Sequence, residues 1–231
     1  MNGRSTAATP RQPAIASLPT VGNYFAASDY VKWDMGRGVL RSRGGARLIA
    51  FPQEFTTGLL AGLEDECGEA WHVVMYRCGE WWGKREMERL EKDLGAFYQE
   101  ELKSLPSAHA HASLSEAWAL HGWGLLSFDM ADIDRGLMHT KVDSSQIASA
   151  FLATGKDTKG RCVCSLLSGV MAGMFTHMTK AEIAAYELTC AARAEETCRF
   201  VLGLKTKLAG VPEQLRKKAS ADEIIAKLRS A

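Results

Sequence analysis

The sequence lacks a long apolar run. Its best candidate, residues 163–175, is interrupted by Ser and Gly and falls short of the roughly 18 residues that a membrane span needs. The N-terminal residues contain no apolar core of the kind that secretory leaders carry. We therefore expect a protein of the reducing cytoplasm that does not insert into membranes. In that compartment, clustered cysteines favour a metal site over disulfide bonds.

An excess of charge of one sign is also missing. The chain carries 28 Lys and Arg residues against 27 Asp and Glu residues, so its formal net charge is +1. That balance gives no electrostatic argument for binding nucleic acid or a membrane surface. A short basic stretch over residues 36–47 has no interleaved aromatic residues, and we interpret it as a solvated loop or hairpin edge.

Motifs for catalysis are missing too. The sequence has no G-x-S-x-G nucleophile motif, no phosphate-binding G-x-x-x-x-G-K, and no dinucleotide fingerprint between a strand and a helix. Reductases need a hydride or electron carrier, and no pattern here predicts a site for one. The sequence therefore favours a binding protein over an enzyme.

The chain divides by composition into three predicted parts. Residues 1–22 are rich in Ala, Ser, Thr and Pro and are expected to be a disordered tail. Residues 23–208 are expected to form one domain, and residues 209–231 a polar C-terminal helix. Within the domain, the patterns predict short strands over 31–52, a helix over 52–68, a buried strand over 70–79, a long amphipathic helix over 81–105, a loop over 107–113, two strands over 120–145, a helix over 144–153, a helix after Cys164, and a β-hairpin around residues 192–196.

The most informative residues are Cys164, Glu187, Cys190 and Cys198, which give the spacing C-x22-E-x2-C-x7-C. Three thiolates and one carboxylate suit a closed tetrahedral zinc site, which is usually structural. Because Glu187 and Cys190 are three residues apart, both reach one metal only if the strand ends or bulges between them. The alternative is a set of buried, inert cysteines with a surface glutamate. Cys162 is a possible replacement ligand.

Residues 160–204 resemble the 4-vinyl reductase (V4R) domain family. The resemblance rests on Cys164 at the start of a helix with Gly169 and Gly173, then Glu187 and Cys190 as E-x-x-C, then Cys198 followed by Arg199-Phe200. Residues 59–94 are similar, more weakly, to the aromatic-effector sensing domains of bacterial phenol- and xylene-responsive transcription activators. The resemblance thus extends over about residues 34–204.

The resemblance implies an α+β fold in which an antiparallel sheet packs with helices, as in vesicle-tethering subunits and haem nitric-oxide sensor domains. It also implies zinc held by Cys164, Glu187, Cys190 and Cys198, with 160–204 as the zinc-bearing part of the domain, and pairing as homodimers. Cys67 and Cys78 are predicted to be small core residues.

A ligand pocket in such a fold is expected to be apolar with a few polar groups. The candidate lining residues are His121, Trp118, Trp123, Phe151 and Tyr186. Phenol-sensing relatives bind the effector hydroxyl with a histidine in a similar L-H-x-G context, which is offset by one residue here. The tryptophan that assists that histidine corresponds to Asp143, so the resemblance implies a different ligand or none. The alternatives are aromatic side chains that belong to the core and a buried His121 bonded to the backbone.

Three functions remain open at this point. The first is a zinc-stabilised, non-enzymatic binding module for a small hydrophobic or aromatic molecule, acting as a sensor or adaptor through a protein partner or a dimer interface. The second is a role in tetrapyrrole (chlorophyll-type) metabolism as a vinyl-reductase accessory or pigment carrier. The third is a scaffold without a ligand, which predicts a core filled by its aromatics.

Overall fold

The computed structural model describes residues 23–230, so the tail expected over 1–22 lies outside the described residues. The helices are α1 (Ala27–Tyr30), α2 (Gln53–Cys67), α3 (Trp71–Tyr98), α4 (Ser107–Leu120), α5 (Gln146–Ala153), α6 (Ser165–Thr179), α7 (Val211–Arg216) and α8 (Ala221–Ser230). The strands are β1 (Val31–Asp34), β2 (Val39–Ser42), β3 (Arg47–Leu48), β4 (Leu125–Asp129), β5 (Leu137–Asp143), β6 (Ile183–Thr189) and β7 (Cys198–Leu204). Within residues 23–230, no helix combines the length and apolarity that a membrane span requires.

Two antiparallel sheets confirm the expected α+β class. Strands β1, β2 and β3 form a small sheet in sequence order, and the larger sheet has the order β4-β5-β7-β6. Strand side chains alternate between the two faces of a sheet, and both faces of the larger sheet are used. One face meets the main hydrophobic core, which includes α3 and α6, and the other is partly covered by α7 and α8.

The prediction of a buried strand over residues 70–79 was wrong, because residues 71–79 form the start of α3. Its buried residues, Trp71, Met75 and Gly79, recur every four positions, as on one face of a helix. The β-branched pair Val73 and Val74 is exposed instead. A short apolar run does not distinguish a buried strand from a helix by periodicity alone.

Two further expectations are corrected at helix ends. The loop predicted over 107–113 forms the first turns of α4, which follows Pro106 directly. The single polar helix predicted over 209–231 is the pair α7 and α8, and both pack on the sheet. Buried Val211, Ile224 and Leu228 belong to the outer core, which is the hydrophobic cluster on the face of the larger sheet that α7 and α8 cover. Arg229 of α8 is also bonded to the buried carboxylate of Asp132, with its Nε 2.9 Å from Oδ2.

Helices α3 and α6 pack closely because glycines face each other along their contact. These are Gly79 and Gly83 on α3 and Gly169 and Gly173 on α6. A Cβ at any of the four would lie closer than 3.0 Å to a backbone carbonyl oxygen of the other helix. Both G-x-x-x-G patterns are therefore required by the separation of the two backbones.

We expect Gly83→Ala to destabilise the fold by about 1–3 kcal/mol, the usual cost of overpacking a close contact. The new methyl group would meet the Val170 carbonyl oxygen, which the backbone of α6 holds in place. Urea unfolding followed by circular dichroism measures the change. Gly95→Ala is the control on the same helix, since its Cβ would meet only an ordinary contact at 3.6 Å. Equal effects of the two substitutions would contradict this account of the helix pair.

Candidate metal centre and neighbouring cavity

Three elements bring Cys164, Glu187, Cys190 and Cys198 together. Cys164 directly precedes α6, Glu187 lies on β6, Cys190 follows the end of β6, and Cys198 begins β7. The three cysteines are fully buried, and the Glu187 side chain is nearly so. One candidate ligand atom from each of the four residues lies within 4.8 Å of the other three. The structure therefore assembles the four residues that the spacing selected.

A bulge in β6 explains how Glu187 and Cys190 reach the same point. Glu187 pairs with Phe200 of β7, and Thr189 pairs with Arg199, so two steps along β6 match one step along β7. Such an irregularity inserts one residue and reverses the alternation beyond it. Leu188 points to the outer core, whereas both candidate ligands point inward. β6 thus bulges and also ends between Glu187 and Cys190, so both alternatives that the spacing left open occur.

The sulfur separation fits a metal ion. The Sγ atoms of Cys164 and Cys198 are 3.7 Å apart. A disulfide bond needs about 2.05 Å. Two thiolates that bind one tetrahedral zinc ion at about 2.3 Å are separated by about 3.8 Å. The observed distance agrees with the second arrangement.

Glu187 provides independent support. Its Oε2 accepts a hydrogen bond from the backbone N–H of Cys164 at 2.7 Å. Its Oε1 is buried and has no hydrogen-bond partner among the described residues. A buried oxygen without a partner costs about 1–3 kcal/mol, and coordination to a cation would remove that cost.

The four acidic groups do not ionise independently. Burial raises the pKa of Glu187 and the pKa of Cys164 well above their ordinary values. Hydrogen bonds from the Cys164 and Cys190 thiols lower the pKa of Cys198 to about 5. Adjacent buried acids resist simultaneous ionisation, whereas a cation between them favours the charged form of each. This donor set therefore suits a divalent metal.

Polar groups around the cluster are placed to support thiolates. The backbone N–H of Ala191 donates to Cys198 Sγ at 3.4 Å, and Ser145 Oγ lies 3.4 Å from Cys164 Sγ. Arg193 donates to Cys162 Sγ at 3.4 Å and so adds a positive charge at the edge. Cys162 is not part of the four-residue group.

Cys67 and Cys78, expected in the core, are exposed. Both lie outside the metal cluster, so their thiols provide controls for the experiments below.

A small cavity lies between α3, α4 and α6, and none of the four candidate metal ligands lines it. Its volume is about 20 Å³, enough for one water molecule. The wall is mostly apolar and contains three tryptophans, Trp82, Trp118 and Trp123, together with Glu86 and His121. Trp82 and Trp123 are in contact, with ring centroids 5.0 Å apart. The cavity is thus enclosed mainly by aromatic and aliphatic side chains.

His121 directly follows α4, and both of its ring nitrogens are engaged. Nδ1 lies 2.6 Å from the carbonyl oxygen of Ala117, which can only accept a hydrogen bond, so Nδ1 carries a proton. In the neutral ring Nε2 is then an acceptor. The Tyr30 hydroxyl, 3.3 Å away, donates to it.

The structure brings only part of the predicted ligand set together. Trp118, Trp123 and His121 line the cavity. Phe151 instead stacks on Trp71, with ring centroids 6.0 Å apart, and Tyr186 packs against the outer core of the sheet.

Trp82 and Glu86 line the cavity but were absent from the predicted set. They are four residues apart on α3. Both lie within the helix predicted over 81–105, so their spacing already put them on one face. What the sequence did not show is that this face meets α4 and α6 at the cavity.

Comparison with known proteins confirms the resemblance. Residues 143–204, which contain all four candidate ligands, match the family model of the V4R domain. The fold is similar to the phenol-responsive sensory domain of the transcription activator PoxR, solved with phenol, at a TM-score of 0.65 and 17% identity, covering 82% of this chain and 92% of that one. No curated protein sequence matches the chain.

Two further solved structures are similar at lower scores. One is a vinyl-4-reductase family protein from Methanocaldococcus jannaschii, with a TM-score of 0.44 and 16% identity over 67% of this chain and 82% of that one. The other is trafficking protein particle complex subunit 3 from Naegleria fowleri, covalently bound to palmitic acid, with a TM-score of 0.42 and 11% identity over 66% of this chain and 95% of that one.

Proposed function

We propose that the protein is a zinc-stabilised, non-enzymatic binding module for a small aromatic molecule and acts as a sensor or adaptor. The observation that carries this proposal is the tryptophan-walled cavity next to His121. It occurs in a fold similar to that of PoxR, whose sensory domain responds to phenol. An apolar wall with one or two polar groups is typical of small-molecule sites.

Zinc is the metal that the donor set favours. Thiolates are poor ligands for Mg²⁺ and Ca²⁺, which prefer oxygen, and four protein ligands match the closed tetrahedral sites of structural zinc. Cys164, Cys190, Cys198 and Glu187 Oε1 would hold the ion. Because all four are buried, no position is left open for a substrate. The ion would therefore join α6 to the β6–β7 hairpin and would not perform chemistry.

We expect Cys190→Ser to lose the metal and at least ~3 kcal/mol of unfolding free energy, because zinc binding supplies about 10–16 kcal/mol to folding in small zinc domains. Elemental analysis and urea unfolding measure the two losses. Cys78→Ser is the control, since Cys78 is exposed and lies outside the cluster. Wild-type protein that purifies without metal and unfolds as Cys190→Ser does would contradict the proposal.

The size of the cavity limits the ligand. At about 20 Å³ it must enlarge before it can hold even one aromatic ring, since a cavity that binds benzene is about 150 Å³. Met174 in the wall has a flexible side chain that can repack at low cost. A single-ring ligand is therefore the largest that we propose, and the small volume gives no support to a tetrapyrrole.

We expect Ala117→Leu to abolish binding of single-ring aromatic molecules, because the added atoms fill the cavity that Ala117 lines. Isothermal titration calorimetry with phenol and toluene measures this. Ala110→Leu is the matched control, since Ala110 is also buried on α4 but does not line the cavity.

The small cavity also favours the scaffold as the second candidate function. In that case neither phenol nor toluene should bind to wild-type protein, and Ala117→Leu should differ from it in stability alone.

A sensor must pass the signal of ligand binding on to another protein surface. We propose that this protein does so as a homodimer formed through the small N-terminal sheet and α2. Large apolar side chains are exposed there, among them Trp33, Ile49, Phe51 and Phe55. Phe51 and Phe55 stack on each other, with ring centroids 4.1 Å apart. Exposed apolar surface of this kind marks interaction sites.

Light scattering should give twice the chain mass of 25.2 kDa for wild-type protein and the monomer mass for Phe55→Ser. The control is Ile133→Ser, since Ile133 is equally exposed but lies in the β4–β5 connection. A wild-type protein that is monomeric at micromolar concentration would contradict the homodimer. The signal of ligand binding would then pass to a different protein partner.

A further inference from the structure

His121 offers a ligand only one nitrogen, and that nitrogen is already in use. Nδ1 donates to the Ala117 carbonyl within α4, so Nε2 alone can accept a hydrogen bond from outside the helix. The hydroxyl of Tyr30 occupies it at 3.3 Å. The Tyr30 ring meets the imidazole edge-on, with centroids 5.5 Å apart and planes at 88°. The chain thus supplies its own phenol group to the histidine.

Tyr30 is held firmly in this position. Its side chain has no exposed surface, and its ring packs against Phe25 at 5.4 Å and Tyr24 at 5.8 Å between centroids. The guanidinium of Arg89 lies next to the Tyr30 hydroxyl. Because a guanidinium only donates, it favours the orientation in which the Tyr30 proton points to His121.

The second ionisable group of the cavity wall is engaged as well. The Glu86 carboxylate forms a salt bridge with Arg89, which contacts both of its oxygens. A ligand hydroxyl that enters the cavity therefore finds His121 Nε2 already bonded. Each Glu86 oxygen keeps a second lone pair, but Arg89 neutralises the charge of that carboxylate. To bond to His121 it must displace the Tyr30 hydroxyl, which costs free energy.

We propose that Tyr30 sets the ligand selectivity of this cavity. While its hydroxyl occupies His121 Nε2, the histidine gives phenols no advantage over aromatic rings without a hydroxyl. Removing that hydroxyl frees the nitrogen and makes the cavity select phenols. The inference rests on the proposed function, because it assumes that single-ring aromatic molecules enter the cavity.

Phenol and toluene, which have nearly the same size, are the probes. Each is titrated calorimetrically into wild-type protein, Tyr30→Phe and Tyr24→Phe. Tyr24 is the matched control because it is equally buried, but its hydroxyl bonds to Asp93 at 3.1 Å rather than to His121. We expect Tyr30→Phe to raise the affinity for phenol relative to toluene by about tenfold. Tyr24→Phe should keep the wild-type ratio.

The results distinguish a failure of the selectivity role of Tyr30 from a failure of the proposed function. If toluene binds and the ratio of the two affinities is the same in wild-type protein and Tyr30→Phe, the selectivity role is wrong and the proposed function stands. If neither compound binds any of the three proteins, the proposed function is wrong and the selectivity role with it. The ¹⁵N chemical shift of His121 Nε2, measured without ligand, should change in Tyr30→Phe alone. An unchanged shift there would also overturn the inference.

Discussion

The convergence of four buried acidic side chains on one point is the constraint on which the rest of the structure depends. Three thiolates and a carboxylate without a cation would be unfavourable neighbours in an apolar core, because burial and mutual repulsion oppose their ionisation. The bulge in β6 nevertheless directs Glu187 and Cys190 to the same side, and Glu187 Oε1 is left without a partner among the described residues. A cation at the centre would explain why the four side chains converge, why β6 bulges, and why Glu187 Oε1 has no protein partner.

Helix α6 connects this cluster to the cavity. Cys164 directly precedes the helix, Gly169 and Gly173 face α3, and Val170 and Met174 lie in the cavity wall. The backbones of α3 and α6 approach so closely that a Cβ at any of the four facing glycines would clash with the other helix. We infer that a metal ion at the start of α6 would fix one wall of the cavity, while the flexible Met174 leaves some room for adaptation.

The residue types and their spacing were enough to predict the metal cluster and the irregularity in β6. The ligand spacing selected Cys164, Glu187, Cys190 and Cys198, and the three-residue step between Glu187 and Cys190 required β6 to end or bulge between them, as it does. Prediction failed where burial depends on distant contacts. Residues 71–79 form helix rather than strand, and Gly79 packs there on the backbone of α6, a contact with residues far along the chain. The contact between Tyr30 and His121 spans 91 positions, and no local pattern indicates it.

X-ray absorption spectroscopy of the purified protein at the zinc K-edge tests the central claim most directly. We predict one zinc ion per chain with three sulfur neighbours at about 2.3 Å and one oxygen neighbour at about 2.0–2.2 Å. A folded protein that contains no metal and whose six cysteines all react as free thiols after unfolding would contradict it.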